Sequence, residues 1–74
     1  MQKLLSIINE ILEDTERQTR ENLSPEMSLR NDIGFDSLDL ARLTVMVEDE
    51  FNVDIFQDGV IDTVEEVITR INSK

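Results

Sequence analysis

The chain contains no cysteine and no histidine, and only one proline and two glycines. Without cysteine there is no disulfide framework, thiolate metal site or thiol redox chemistry to consider. Without histidine the commonest base for a serine nucleophile is missing. The two lysines, Lys3 and Lys74, stand near the chain ends, so a self-contained hydrolase is not expected. No apolar run is long enough to span a bilayer, and no basic stretch leads into an apolar export segment. The sequence therefore predicts a cytoplasmic protein. The acids from Asp49 to Asp58 lack the order of a calcium-binding loop, so no metal site is expected.

What is present is compact. Seventy-four residues suffice for one domain, 1–74, with a thin core. Leu, Ile, Val and Met supply most of the apolar content, which favours a small helical bundle. Seventeen acids against seven basic residues leave a net charge of −10. Such a surface repels nucleic acid and anionic membranes and favours basic partner surfaces. The simpler reading is that the charge only keeps a small protein soluble.

Leu4, Ile8, Ile11 and Leu12 fall on one helical face, with Leu5 on its flank, and predict a first helix within residues 2–14, whose end past Leu12 no residue marks. Residues 15–33 are polar and irregular, and Pro25 blocks any continuing helix. Leu23, Met27, Leu29 and Ile33 are expected to pin this long loop onto the bundle. A second helix is predicted over 37–51. Leu40, Leu43, Val47 and Phe51 form its core arc. Leu38, Ala41 and Val45, with Met46 at the edge, form a second apolar arc. Flanked by acids, that arc suggests a docking surface; the alternative is that both arcs are buried between neighbours. Residues 52–61 read as a connector with at most one short helical turn. The last helix begins at Asp62 or Thr63, because Glu65 or Glu66 then completes a capping box. Val64, Val67, Ile68 and Ile71 give it an apolar face, and residues 72–74 are expected to fray.

The most informative stretch is Gly34-Phe35-Asp36-Ser37-Leu38-Asp39. Asp36 is a good N-cap, and Asp39 can reach back to the cap N–H while favouring the positive end of the helix dipole. Ser37 is then the first helical residue, its side chain pointing outward. The cap does not need its hydroxyl. A serine there suits an attached phosphate ester, which Asp36 and Asp39 would push outward as a tether.

Ile33-Gly34-Phe35-Asp36-Ser37-Leu38-Asp39, followed by Glu48-Asp49-Glu50-Phe51, resembles the acyl carrier protein family, whose pattern is Leu-Gly-x-Asp-Ser-Leu and then Glu-Glu-Glu-Phe at this spacing. The likeness also takes in Leu29, Ile55 and Thr63-Val64. It implies an all-α fold: a small four-helix bundle with a short third helix and a long loop between helices one and two. It implies 4′-phosphopantetheine on Ser37, attached from coenzyme A with magnesium by a phosphopantetheinyl transferase. The protein would then be no enzyme but a monomeric carrier of acyl thioesters. Its partners would be acyl-transferring and condensing enzymes with basic docking patches. Asp36, Asp39, Glu48 and Asp49 match the family's acidic recognition surface, and Leu38, Ala41 and Val45 its apolar contacts. Leu40, Leu43, Val47, Phe51, Ile55, Ile61 and Ile68 would part to admit a long acyl chain.

Three departures mark this chain. Arg42 stands on the docking face where the family pattern has an acid; it would select specialised partners or pair harmlessly with Glu48 or Asp39. The connector from Ile55 to Val64 is short, with Phe56 in place of the usual proline. Gly59 replaces an acid. These favour a polyketide or lipid-modifying pathway slightly over fatty-acid synthesis. An aminoacyl or peptidyl carrier is a close variant. A small acidic adaptor without a prosthetic group is the reading from a different class.

Overall fold

The computed structural model describes residues 2–55 and 61–72. Among them are three helices, α1 (Gln2–Asp14), α2 (Ser37–Phe51) and α3 (Val64–Asn72), and no strand beyond an isolated bridge between Ser28 and Thr63. The fold is all-α. The expected third helical turn, with Phe56 and Gly59, lies outside the described residues, as does the expected fraying at 73 and 74. Asn72 itself is helical.

The core follows the apolar periodicity. Leu4, Ile8, Ile11 and Leu12 of α1 meet Leu40, Leu43 and Val47 of α2 and Val64 and Val67 of α3 in one buried cluster. Each fully buried aliphatic side chain contributes about 1.5–3 kcal/mol relative to exposure. Ile7 and Phe35 join this cluster unannounced by the periodic pattern. Phe51, expected in the core arc, is only half-buried. It borders a groove of about 550 Å³ lined by Leu4, Ile68 and Ile71 together with Gln2, Lys3 and Asn72. That groove lies at the α2 end remote from Ser37, about 20 Å along the helix axis.

The helix ends explain their own positions. At the end of α1, Arg17 N–H donates to the Leu12 carbonyl at 2.7 Å and Glu16 N–H to the Glu13 carbonyl at 3.0 Å. Glu16 takes φ 60°. This is a Schellman turn with glutamate where glycine is usual. α2 ends at Asn52, whose N–H still donates to the Glu48 carbonyl at 2.8 Å while its left-handed backbone (φ 59°) turns the following chain out of the helix.

The long loop is held rather than loose. Leu29 and Ile33 are buried, and Leu23 and Met27 pack against the core. Asn9 and the Arg20 backbone exchange two hydrogen bonds, at 2.9 and 2.8 Å. The loop also completes the start of α3, where orphan N–H groups need acceptors. Val64 N–H donates to the Met27 carbonyl and Glu65 N–H to the Pro25 carbonyl, both at 3.0 Å. Glu66 N–H donates to Thr63 Oγ1 at 3.2 Å, and Thr63 N–H to Glu66 Oε1 at 3.0 Å. Thr63 is therefore the cap, and Val64 the first helical residue. The Thr63 N–H, with the Asp62 N–H that also donates to Glu66 Oε1 at 3.0 Å, holds the Glu66 carboxyl below its ordinary pKa.

Candidate functional site

The approach to α2 is set by Gly34. Its φ of +89° lies where residues with a Cβ are strained, whereas the space beside it is ordinary, with Arg17 Nη1 3.8 Å from an added Cβ. The glycine therefore serves the backbone turn, not clearance around the serine. Phe35 follows, buried, its N–H donating to the Leu29 carbonyl at 2.8 Å.

Asp36 then caps α2. Its carboxylate accepts from Asp39 N–H at 3.0 Å, and Asp39 Oδ2 accepts from Asp36 N–H at 3.1 Å. This reciprocal box consumes both side chains and leaves Ser37 out of it. Ser37 is the first residue of α2 and is exposed, and its hydroxyl has no hydrogen-bond partner among the described residues.

Asp39 departs from its expected place on an acidic recognition surface. It is buried, with 7% of its surface exposed. Its Oδ2 also accepts from Arg17 Nη2 at 2.5 Å. Burial alone would raise its pKa. The Arg17 hydrogen bond, the Asp36 N–H and the Arg17 charge outweigh that and hold the carboxyl below its ordinary value. The negative side chain left beside Ser37 is Asp36.

The rest of the expected face is assembled. Wrapped at about 100° per residue, Ser37, Leu38, Ala41, Arg42, Val45, Glu48 and Asp49 share an arc of roughly 140°. Leu38 is 81% and Val45 66% exposed; Ala41, Glu48 and Asp49 are exposed as well. Two large apolar side chains therefore stand open to solvent on one face of α2, beside acidic flanks. Both apolar arcs are thus not buried: one is in the core and one faces solvent. Arg42 sits at the edge of this face and pairs with Asp14 of α1 rather than with Glu48 or Asp39. Periodicity missed Arg17. It lies in the irregular loop, and only its position just past the end of α1 hinted at a capping role.

Known proteins now supply the context. A family model described as "Phosphopantetheine attachment site" matches residues 2–71. An acyl carrier protein of Nitratidesulfovibrio vulgaris (strain DSM 19637 / Miyazaki F) is 36% identical over 69 residues, covering 90% of this chain and 91% of the relative. An acyl carrier protein of Syntrophus aciditrophicus (strain SB) is 50% identical over 48 residues, 65% of this chain and 60% of the relative. Acyl carrier protein 3 of Ralstonia nicotianae (strain ATCC BAA-1114 / GMI1000) is 36% identical over 55 residues, 72% of this chain and 63% of the relative. The matches to these last two span less than two thirds of the relatives' own length. The prosthetic group of the family is phosphopantetheine, and its members are carriers, not enzymes. With its family model matched from residue 2 to residue 71 and a relative aligned almost end to end, this chain belongs to the acyl carrier protein family.

Proposed function

We propose that Ser37 is the attachment residue and that the chain, as one domain, carries acyl intermediates between enzymes. The observation that carries this is the state of Ser37: the first helical residue, solvent-exposed, excluded from a cap that Asp36 and Asp39 complete without it. A phosphodiester fits there, because no neighbour must move to admit it. In the loading step a transferase supplies the base that takes the Ser37 hydroxyl proton. The serine oxygen bonds to the phosphorus bearing pantetheine. The diphosphate bond of coenzyme A breaks, and adenosine 3′,5′-bisphosphate leaves. The attached arm ends in a thiol, on which an acyl group is held as a thioester.

The chain's own residues then handle recognition. Leu38, Ala41 and Val45 offer apolar contact, and Asp36, Glu48 and Asp49 face basic rims on transferases, acyl-transferring and condensing enzymes. Each exposed ion pair contributes only about 0.2–1 kcal/mol, so charge sets orientation and on-rate while release stays easy. Arg42 adds one positive group to this face. We read it as favouring a dedicated polyketide or lipid pathway over general fatty-acid synthesis. The same reading puts a monomer in the cytoplasm; no helix among the described residues is long and apolar enough to cross a membrane.

The test is incubation with coenzyme A, magnesium and several broad-specificity phosphopantetheinyl transferases, read by intact mass. A gain of one phosphopantetheine, lost in Ser37→Ala, supports the carrier. No gain with any transferase favours a small acidic adaptor. Loading of the holo chain by acyl-transferring rather than aminoacyl-activating enzymes separates the acyl carrier from its aminoacyl variant.

A further inference from the structure

We infer that Arg17 is a positioning residue for the loading of Ser37, acting by clamping both flanks of the serine; this rests on the carrier reading above. The Schellman turn at the end of α1 places Arg17 just past the helix, with its backbone N–H fixed on the Leu12 carbonyl. Its Nε donates to Thr15 Oγ1 at 2.9 Å, and that hydroxyl is itself held by the Ile11 carbonyl at 2.9 Å. The guanidinium then lies 5.6 Å from the centre of the buried Phe35 ring. Nη1 donates to the Gly34 carbonyl and Nη2 to the Asp39 carboxylate. All three guanidinium nitrogens are engaged, and the group lies over the Phe35 ring.

The placement is specific to the serine. Gly34 precedes Ser37 and carries the turn's positive φ; Asp39 follows it and closes the capping box. One planar fork thus spans the segment on either side of the attachment residue, a geometry that a lysine point charge does not reproduce. The exposed pairs Lys3–Glu50 and Arg42–Asp14 also link helices, but neither touches this segment. The clamp does two things. It fixes the turn that presents Ser37 outward. It also compensates Asp39, so an incoming diphosphate meets one carboxylate without a cationic partner, Asp36, rather than two.

A carrier whose serine is presented only part of the time binds its transferase with an affinity reduced by that fraction, while the bound complex reacts at the same rate. The experiment is steady-state loading of the full chain by one transferase with coenzyme A and magnesium. Helix content is monitored by circular dichroism at the assay temperature. Arg17→Met is expected to raise KM for the chain about tenfold with kcat unchanged. Arg17→Lys should recover only part of this. Arg17→Met combined with Asp39→Asn should cost no more than the worse single change, because the two residues act as one unit. Lys3→Met, which breaks an ion pair away from the segment, should leave KM as it is.

A KM within twofold of wild type for folded Arg17→Met overturns the inference. If Arg17→Met does not fold, the same criterion passes to Arg17→Lys. A fall in kcat that tracks lost helix content, with KM unchanged, also overturns it. A wild-type chain that takes no arm overturns the carrier reading instead.

Discussion

Arg17 Nη2 and Asp39 Oδ2 lie 2.5 Å apart across 22 positions of sequence, joining the turn after α1 to the first turn of α2. That pair makes the start of α2 a tertiary feature and not only a local cap.

Its first consequence is a pH dependence. Asp39 has a folded-state pKa below its unfolded one. Such a group stabilises the fold above the unfolded pKa, about 3.9, and loses that contribution as pH falls through the folded value. The charged and polar groups facing it are Arg17 from the loop and the Asp36 backbone and carboxylate from the cap. Asp39→Asn should therefore be less stable than wild type at neutral pH by about 1–3 kcal/mol, the cost of leaving Arg17 and the cap N–H poorly partnered. Urea midpoints across an acid series should show the gap closing below pH 4. A constant gap would show that the charge of Asp39 is not what stabilises.

Glu16 supplies a second test. It occupies a left-handed backbone position, φ 60°, at the Schellman turn. Glycine there lacks the Cβ penalty of an L residue, so Glu16→Gly should stabilise by about 0.5–1 kcal/mol. Chemical denaturation measures it directly. A destabilised variant would mean that the Glu16 side chain makes a contribution larger than its strain.

The core makes a third. Leu43 is fully buried on α2, whereas Phe51 is half-buried beside the groove. Leu43→Ala should cost about 2–5 kcal/mol. Phe51→Ala should cost less, despite the larger side chain, because its site is already open to solvent on one side. Equal or reversed losses would move the centre of the core toward the groove.

Charge provides a fourth. With a net charge of −10, the folded chain repels itself. The melting temperature should rise with sodium chloride and more steeply with magnesium, as screening shortens the reach of each carboxylate to about 8 Å at physiological ionic strength. A flat response to both would put the repulsion below measurable size.

Much of this was readable from residues alone. The presence of α1, the bounds of α2, the Asp36 cap with Asp39 reaching back, and the choice of Thr63 or Asp62 as the last cap all rest on local chemistry, which sequence displays; the end of α1 does not, because a glutamate takes the left-handed position where glycine would have marked it. The outward arc of Leu38, Ala41 and Val45 was visible because period 3.6 separates two faces. What was hidden is tertiary. An acid in a first helical turn reads as an exposed partner of the dipole, so the burial of Asp39 beneath Arg17 left no mark. Phe35 stands alone in a turn with no repeat to signal its burial. Arg42 finds Asp14 across 28 positions, a pairing that no i, i+4 rule anticipates.

The most direct measurement is where the arm goes. After loading by a transferase, proteolysis and fragment mass analysis assign the modified residue among the five serines, Ser6, Ser24, Ser28, Ser37 and Ser73. The expected result is phosphopantetheine on Ser37 alone, at the exposed start of α2. Its appearance on any other serine, or on none, would contradict the account.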